Sequence, residues 1–300
     1  NGKVLINGSV TIDTDNADNT GSGGSHEDGT INFSSTIDAA DGTGDNLVIL
    51  AGDSGAGGSL TMTGAIGGTT ALTSLSINAT AGDIAFSLPQ VGDGTNAGVS
   101  GVTQIGNSLT TNDIVFTGQT YDFGGNVTVT GDGGANAFQF TGTDPITFTS
   151  AGNVLFTGTG DDFVKLADLK DLTITTAAAG TNITLPGVKG TTGDGNDGTD
   201  LTLNAGAAGG DVIIGAVGDD INDLIITGAN IRLDGSITTA AHNPGEADAA
   251  SIDLNGAVVI NAAVTLTSGN GDIDFSSTIN STATEAYALT TVAGTGTTTF

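Results

Sequence analysis

The segment Gly29-Thr-Ile-Asn-Phe-Ser-Ser-Thr-Ile37 returns 242 positions later as Gly271-Asp-Ile-Asp-Phe-Ser-Ser-Thr-Ile279. Each copy sets apolar side chains at alternate positions, Ile31 and Phe33 or Ile273 and Phe275, around a polar residue. Period-two alternation is the pattern of a half-buried β-strand, with the following Ser-Ser suited to a turn. The match runs ungapped over 29–52 and 271–294, pairing Leu47 with Leu289 and Ala51-Gly52 with Ala293-Gly294, while the loop inside it differs completely. A shared strand frame with a free outer loop produces that contrast.

Working outward, the same unit recurs along the chain: three to five residues of alternating apolar character, then a polar turn. Examples are Val4-Leu5-Ile6, Leu60-Thr61-Met62, Val127-Thr128-Val129, Leu172-Thr173-Ile174, Ile231-Arg232-Leu233 and Val264-Thr265-Leu266. A second repeat aligns Leu72-Thr-Ser-Leu75-Ser-Ile77 with Leu169-Lys-Asp-Leu172-Thr-Ile174, 97 positions on, and a third copy begins 52 positions later at Ile221-Asn-Asp-Leu224-Ile-Ile226. Tandem sandwich modules would repeat at a steadier interval near about 100 residues. Irregular spacing suits a coil whose strands stack while its outer loops vary, a parallel β-helix. We expect one continuous β-solenoid segment over 1–300, all-β, with variable polar loops at 13–28, 187–199 and 239–250. Its terminal strand pattern reads as cut from a much longer repetitive chain.

Composition narrows the function classes. The 300 residues include 50 Gly, and 30 of the 33 acids are Asp, which suits turns, with Glu only at 27, 246 and 285. Good helix formers are scarce. At 37% hydrophobic the chain can build a core. A net charge of −28, relieved only by Lys3, Lys165, Lys170, Lys189 and Arg232, disfavours nucleic acid and anionic membranes and attracts cations. There is no Cys, so no disulfide framework. No apolar run reaches the about 18 residues of a membrane-spanning helix, so no membrane insertion is expected.

Three acidic stretches carry oxygen ligands at spacings that suit Ca²⁺. They supply the metal candidates Asp194, Asn196, Asp197 and Asp200; Asp13 and Asp15; and Asp161 and Asp162, the last in Gly158-Thr-Gly160-Asp-Asp162-Phe-Val164. The second reading is that these are turn residues in solvent. His26 and His242 sit in polar loops and read as solvated. No Ser-His-Asp or Cys-His set and no phosphate-binding loop is present, and five scattered cations ill suit a polysaccharide lyase. Acid pairs of the glycosidase kind arise by chance among 33 acids. No enzyme and no required cofactor are expected, with Ca²⁺ as an optional ligand and a polysaccharide-active β-helix enzyme as the minor alternative.

The motifs Gly29–Ile37, Ala65-Ile-Gly-Gly-Thr-Thr-Ala-Leu-Thr-Ser-Leu-Ser-Ile77 and Ala288-Leu-Thr-Thr-Val-Ala-Gly-Thr-Gly-Thr-Thr-Thr-Phe300 resemble the giant β-strand-repeat surface proteins of bacteria, the filamentous-haemagglutinin-like adhesins. The resemblance covers most of the chain and transfers no catalytic residue. It implies a right-handed parallel β-helix, an extracellular or cell-surface location, and a role as rigid spacer or filament in a fibre or sheath. An adhesin binding a surface or glycan through protruding loops is the alternative. Expected partners are neighbouring repeats of the chain and further copies of it.

Overall fold

The computed structural model describes residues 2–13, 30–50, 59–79, 86–93, 95–107, 114–131, 137–158, 163–191, 198–206, 209–218, 220–240, 249–282 and 284–300. All regular elements among them are β-strands, and the strands pair in parallel, forming a β-solenoid. The chain divides into two compact units, Asn1–Gly142 with Ser150–Asp162, and Thr143–Thr149 with Phe163–Phe300.

In the first unit each turn contributes to three ladders. Ladder a begins with Val4–Ile6 on Ile37–Ala39 and continues through single bridges from Ile37 to Ile66, Val91 and Tyr121. Ladder b stacks Ser9–Asp13, Asn46–Leu50, Ser74–Ala79, Thr103–Asn107, Val127–Thr130 and Val154–Thr157. Ladder c stacks Thr30–Phe33, Ser59–Met62, Phe86–Leu88, Ile114–Phe116 and Ala137–Phe140. In-register pairing stacks like on like. One inward row of ladder b runs Leu47, Leu75, Thr103, Val127, Val154, and the next runs Ile49, Ile77, Ile105, Val129, Phe156, all buried.

Aromatic residues fill part of this core. Phe116 and Phe140 stack with ring centroids 4.4 Å apart, and Tyr121 meets Phe116 edge-on at 5.4 Å. The buried Tyr121 hydroxyl accepts the Gly118 N–H at 2.6 Å and donates to the Leu88 carbonyl at 3.1 Å, which meets its need for partners. Burial pushes its pKa well above the usual phenol value.

The second unit repeats the principle with its own ladders. Ladder d stacks Leu172, Leu201, Leu224, Ile252 and Ile273 in one inward row, and Ile174, Leu203, Ile226, Leu254 and Phe275 in the next. Ladder e aligns Ile183, Val212, Ile231, Val258 and Ile279. Ladder f aligns Val164, Val188, Val217, Ile237 and Leu266. Long strands serve two ladders: Ile221–Leu233 belongs to d up to Thr227, shifts register, and joins e from Asn230.

This stacking accounts for the irregular repeat spacing. Leu172 lies 29 residues before Leu201, and Leu201 lies 23 before Leu224, so the 52-residue interval is two turns of unequal length. Turn length varies freely because only the strand register is shared. Corners are tight where they are described: a Cβ on Gly215 would lie 1.7 Å from the Pro186 carbonyl oxygen, so only glycine lets those turns stack there.

Candidate functional site

Of the residues expected to hold Ca²⁺, Asp15, Asp161, Asp162, Asp194, Asn196 and Asp197 lie outside the described residues, as do His26 and His242. Asp13 is exposed at the end of its strand, in register with Leu50. Asp200 is the informative one. Its Oδ1 accepts the Asp223 N–H at 3.1 Å and the Asn222 amide Nδ2–H at 3.2 Å, while its own N–H donates to Asp171 Oδ1 at 3.0 Å.

Asp200 is one rung of a carboxylate column on the outside of ladder d. Asp144 Oδ1 accepts the Asp171 N–H at 2.8 Å, and Asp223 Oδ1 accepts both the N–H and the hydroxyl of Ser251 at 2.7 and 2.8 Å. Asp272 repeats the device on Thr297, at 2.7 Å to N–H and 2.9 Å to the hydroxyl. Four of these acids stand just before an inward apolar residue of ladder d, in Asp171-Leu172, Asp200-Leu201, Asp223-Leu224 and Asp272-Ile273. Near the start of the regular ladder the short carboxylate supplies the acceptor that the N–H of the next turn needs. Asn126 and Asn182 do the same for Asn153 and Asp211, each at 2.8 Å.

The column carries an electrostatic cost. Burial, with the charges of Asp200 and Asp144 adding to it, raises the Asp171 pKa against the pull of the Asp200 N–H. Burial likewise raises Asp253, helped by Asp274, Asp223 and Asp272. Asp272 is held low by the N–H and hydroxyl of Thr297.

Two buried acids in the first unit escape sequence reasoning. Asp38, 1% exposed, accepts the N–H of Thr69 and Thr70 at 2.8 and 3.3 Å and pairs with Lys3 at 3.2 Å. Burial, the largest single effect, pushes its pKa up, but these three donors together outweigh it and the pKa is lowered. Asp45 has no exposed surface and accepts the N–H of Gly8 at 2.6 Å and of Asp41 and Gly42 at 3.1 Å each. The Gly8 bond leads in holding it low. Both tie one turn to the next. Nothing in the local pattern marks them: Asp45 follows an ordinary Gly-rich turn, and Asp38 is the polar middle of the strand Ile37–Ala39, where alternation assigns the side chain to the outer face.

Among the described residues no three His, Cys, Asp or Glu side chains converge as a metal site would require. What the described carboxylates do chemically is accept backbone hydrogen bonds between turns. No family model matches the chain, and no curated protein or solved structure matches it significantly.

Proposed function

We propose that this chain is a structural segment of a secreted or cell-surface fibre or sheath, acting as a rigid spacer or filament. The observation that carries the reading is the sustained in-register stacking within each unit, where successive turns place apolar side chain on apolar side chain and carboxylate on N–H. A polypeptide so arranged commits its residues to the stack itself. The resemblance to filamentous-haemagglutinin-like surface proteins supports the same reading. Force spectroscopy on the chain held between marker domains tests it: turns should yield at high force in discrete steps, and low-force featureless extension would refute it.

One observation favours an adhesin as the second reading. In the first unit the connections at 14–29, 51–58, 80–85, 108–113 and 132–136 all leave ladder b and enter ladder c, so variable sequence issues from one corner. Replacing 14–29 and 241–248 by short Gly-Ser links leaves a spacer unchanged and abolishes attachment by an adhesin. Ca²⁺ uptake by the acidic connections belongs to either reading, and chelation lowering the melting temperature at low salt is its test. Catalysis forms no part of the proposal; turnover of an acidic polysaccharide would contradict it.

A further inference from the structure

Lys165 and Lys189 stand in register on neighbouring strands of ladder f, flanked by the inward Val164, Leu166 and Val188, so both ammonium groups point outward. The Lys189 Nζ lies 4.7 Å from the centroid of the Phe163 ring, which braces it. Neither lysine makes an ion pair within the described residues, where the salt bridges are Lys3–Asp38 and Arg232–Asp234. Like charges one rung apart, about 4.8 Å, repel. In a chain with five cations and a net charge of −28, two of the five are stacked, and no carboxylate among the described residues pairs with either.

The opposite conflict stands on ladder d of the same unit. Asp253 and Asp274 are paired in register, both outward between buried apolar neighbours, with Asp223 and Asp272 adding negative charge nearby. The two pairs share the rung spacing but have opposite signs and occupy different ladders.

We propose that the lysine face of one copy docks laterally on the aspartate face of the next. An acidic polysaccharide would satisfy only the lysines and a basic partner only the aspartates; a second copy satisfies both. Because the two faces differ, the contact is heterologous and leaves one complementary face free on each member of a pair, so association continues beyond a two-fold dimer. The spacer reading stands whether or not copies associate.

Sedimentation velocity on the full chain tests this at three salt concentrations. At about 10 mM salt the net charge is felt over roughly 30 Å and keeps copies apart; at about 150 mM that range falls to roughly 8 Å while the touching pairs survive; near 1 M the pairs themselves are screened. Concentration-dependent association is therefore expected at the middle salt alone. Lys165→Glu/Lys189→Glu and Asp253→Lys/Asp274→Lys should each remain monomeric with an unchanged circular dichroism spectrum. Mixed, they should co-assemble, since each reversed face meets its new complement. A wild type that is monomeric at all three salts, variants that associate like wild type, folded variants that fail to co-assemble, or lysine-dependent retention on polygalacturonate without self-association would each overturn the proposal.

Discussion

Asp200 separates two roles a carboxylate can play, because alanine and asparagine dissect it differently. Asp200→Ala removes the acceptor of the Asp223 N–H and the Asn222 amide. Hydrogen bonds to a charged acceptor contribute about 1.5–3 kcal/mol when lost from a part-buried position. Against that, deleting the charge relieves repulsion from Asp171 one rung away, about 1 kcal/mol in a water-like surround and about 3 kcal/mol at an effective dielectric constant of about 20. The partial exposure of the column places the relief near the lower figure, so Asp200→Ala should lose about 0.5–2 kcal/mol. Asp200→Asn keeps the acceptor oxygen and still removes the charge, so it should match or exceed wild type. Urea unfolding measures the difference, and hydrogen exchange localises it. The Asp223 amide should exchange roughly tenfold faster in the alanine variant, as about 1.4 kcal/mol corresponds to a factor of ten, and not in the asparagine variant. The Asp171 carboxyl should titrate at lower pH in either variant, because the Asp200 charge that helps to raise it is gone. Equal stability of the two variants with an unaltered Asp223 amide would refute the capping role. A Ca²⁺-induced rise in melting temperature that disappears in Asp200→Asn would instead make this residue a metal ligand.

Two sets of acids should respond to falling pH in opposite directions. Asp38 and Asp45 have lowered folded pKa values, so their stabilisation is present above the unfolded value of 3.8 and is lost as pH falls through the folded pKa. Hydrogen exchange at the Gly8, Gly42 and Thr69 amides of the first unit should therefore accelerate below about pH 4, and Asp45→Asn should remove that dependence at Gly8 and Gly42 while leaving it at Thr69, which Asp38 holds. Asp171 and Asp253 have raised values, so they cost stability that is recovered as pH falls through their folded pKa; protection of the strands carrying these two acids should rise on mild acidification, while the Thr297 amide held by Asp272 should lose protection at lower pH. Thr103→Val should raise thermal stability by about 1 kcal/mol. The Thr103 hydroxyl is buried without a partner among the described residues, between Leu75 and Val127. Gly215→Ala should cost about 3 kcal/mol or more in chemical denaturation, since its methyl would collide with the Pro186 carbonyl.

The strand pattern and the stacking are legible in the sequence. Ile31/Phe33 and Leu172/Ile174 alternate as strands must, and the uneven intervals between copies point to a coil because a coil constrains strand register and leaves loop length free. The roles of the acids are not legible. Asp200 reads equally as a Ca²⁺ ligand, a turn residue or a cap, and only its position one rung from Asp171 and Asp223, residues 29 and 23 positions away, makes it a bridge between turns. Asp38 and Asp45 are hidden for the same reason: their partners Thr69 and Gly8 come from other turns. Local sequence determines what a strand buries, because that depends on alternation within a few residues. Which polar groups meet across turns depends on loop lengths that the stack tolerates without preference, so the folded coil alone decides it.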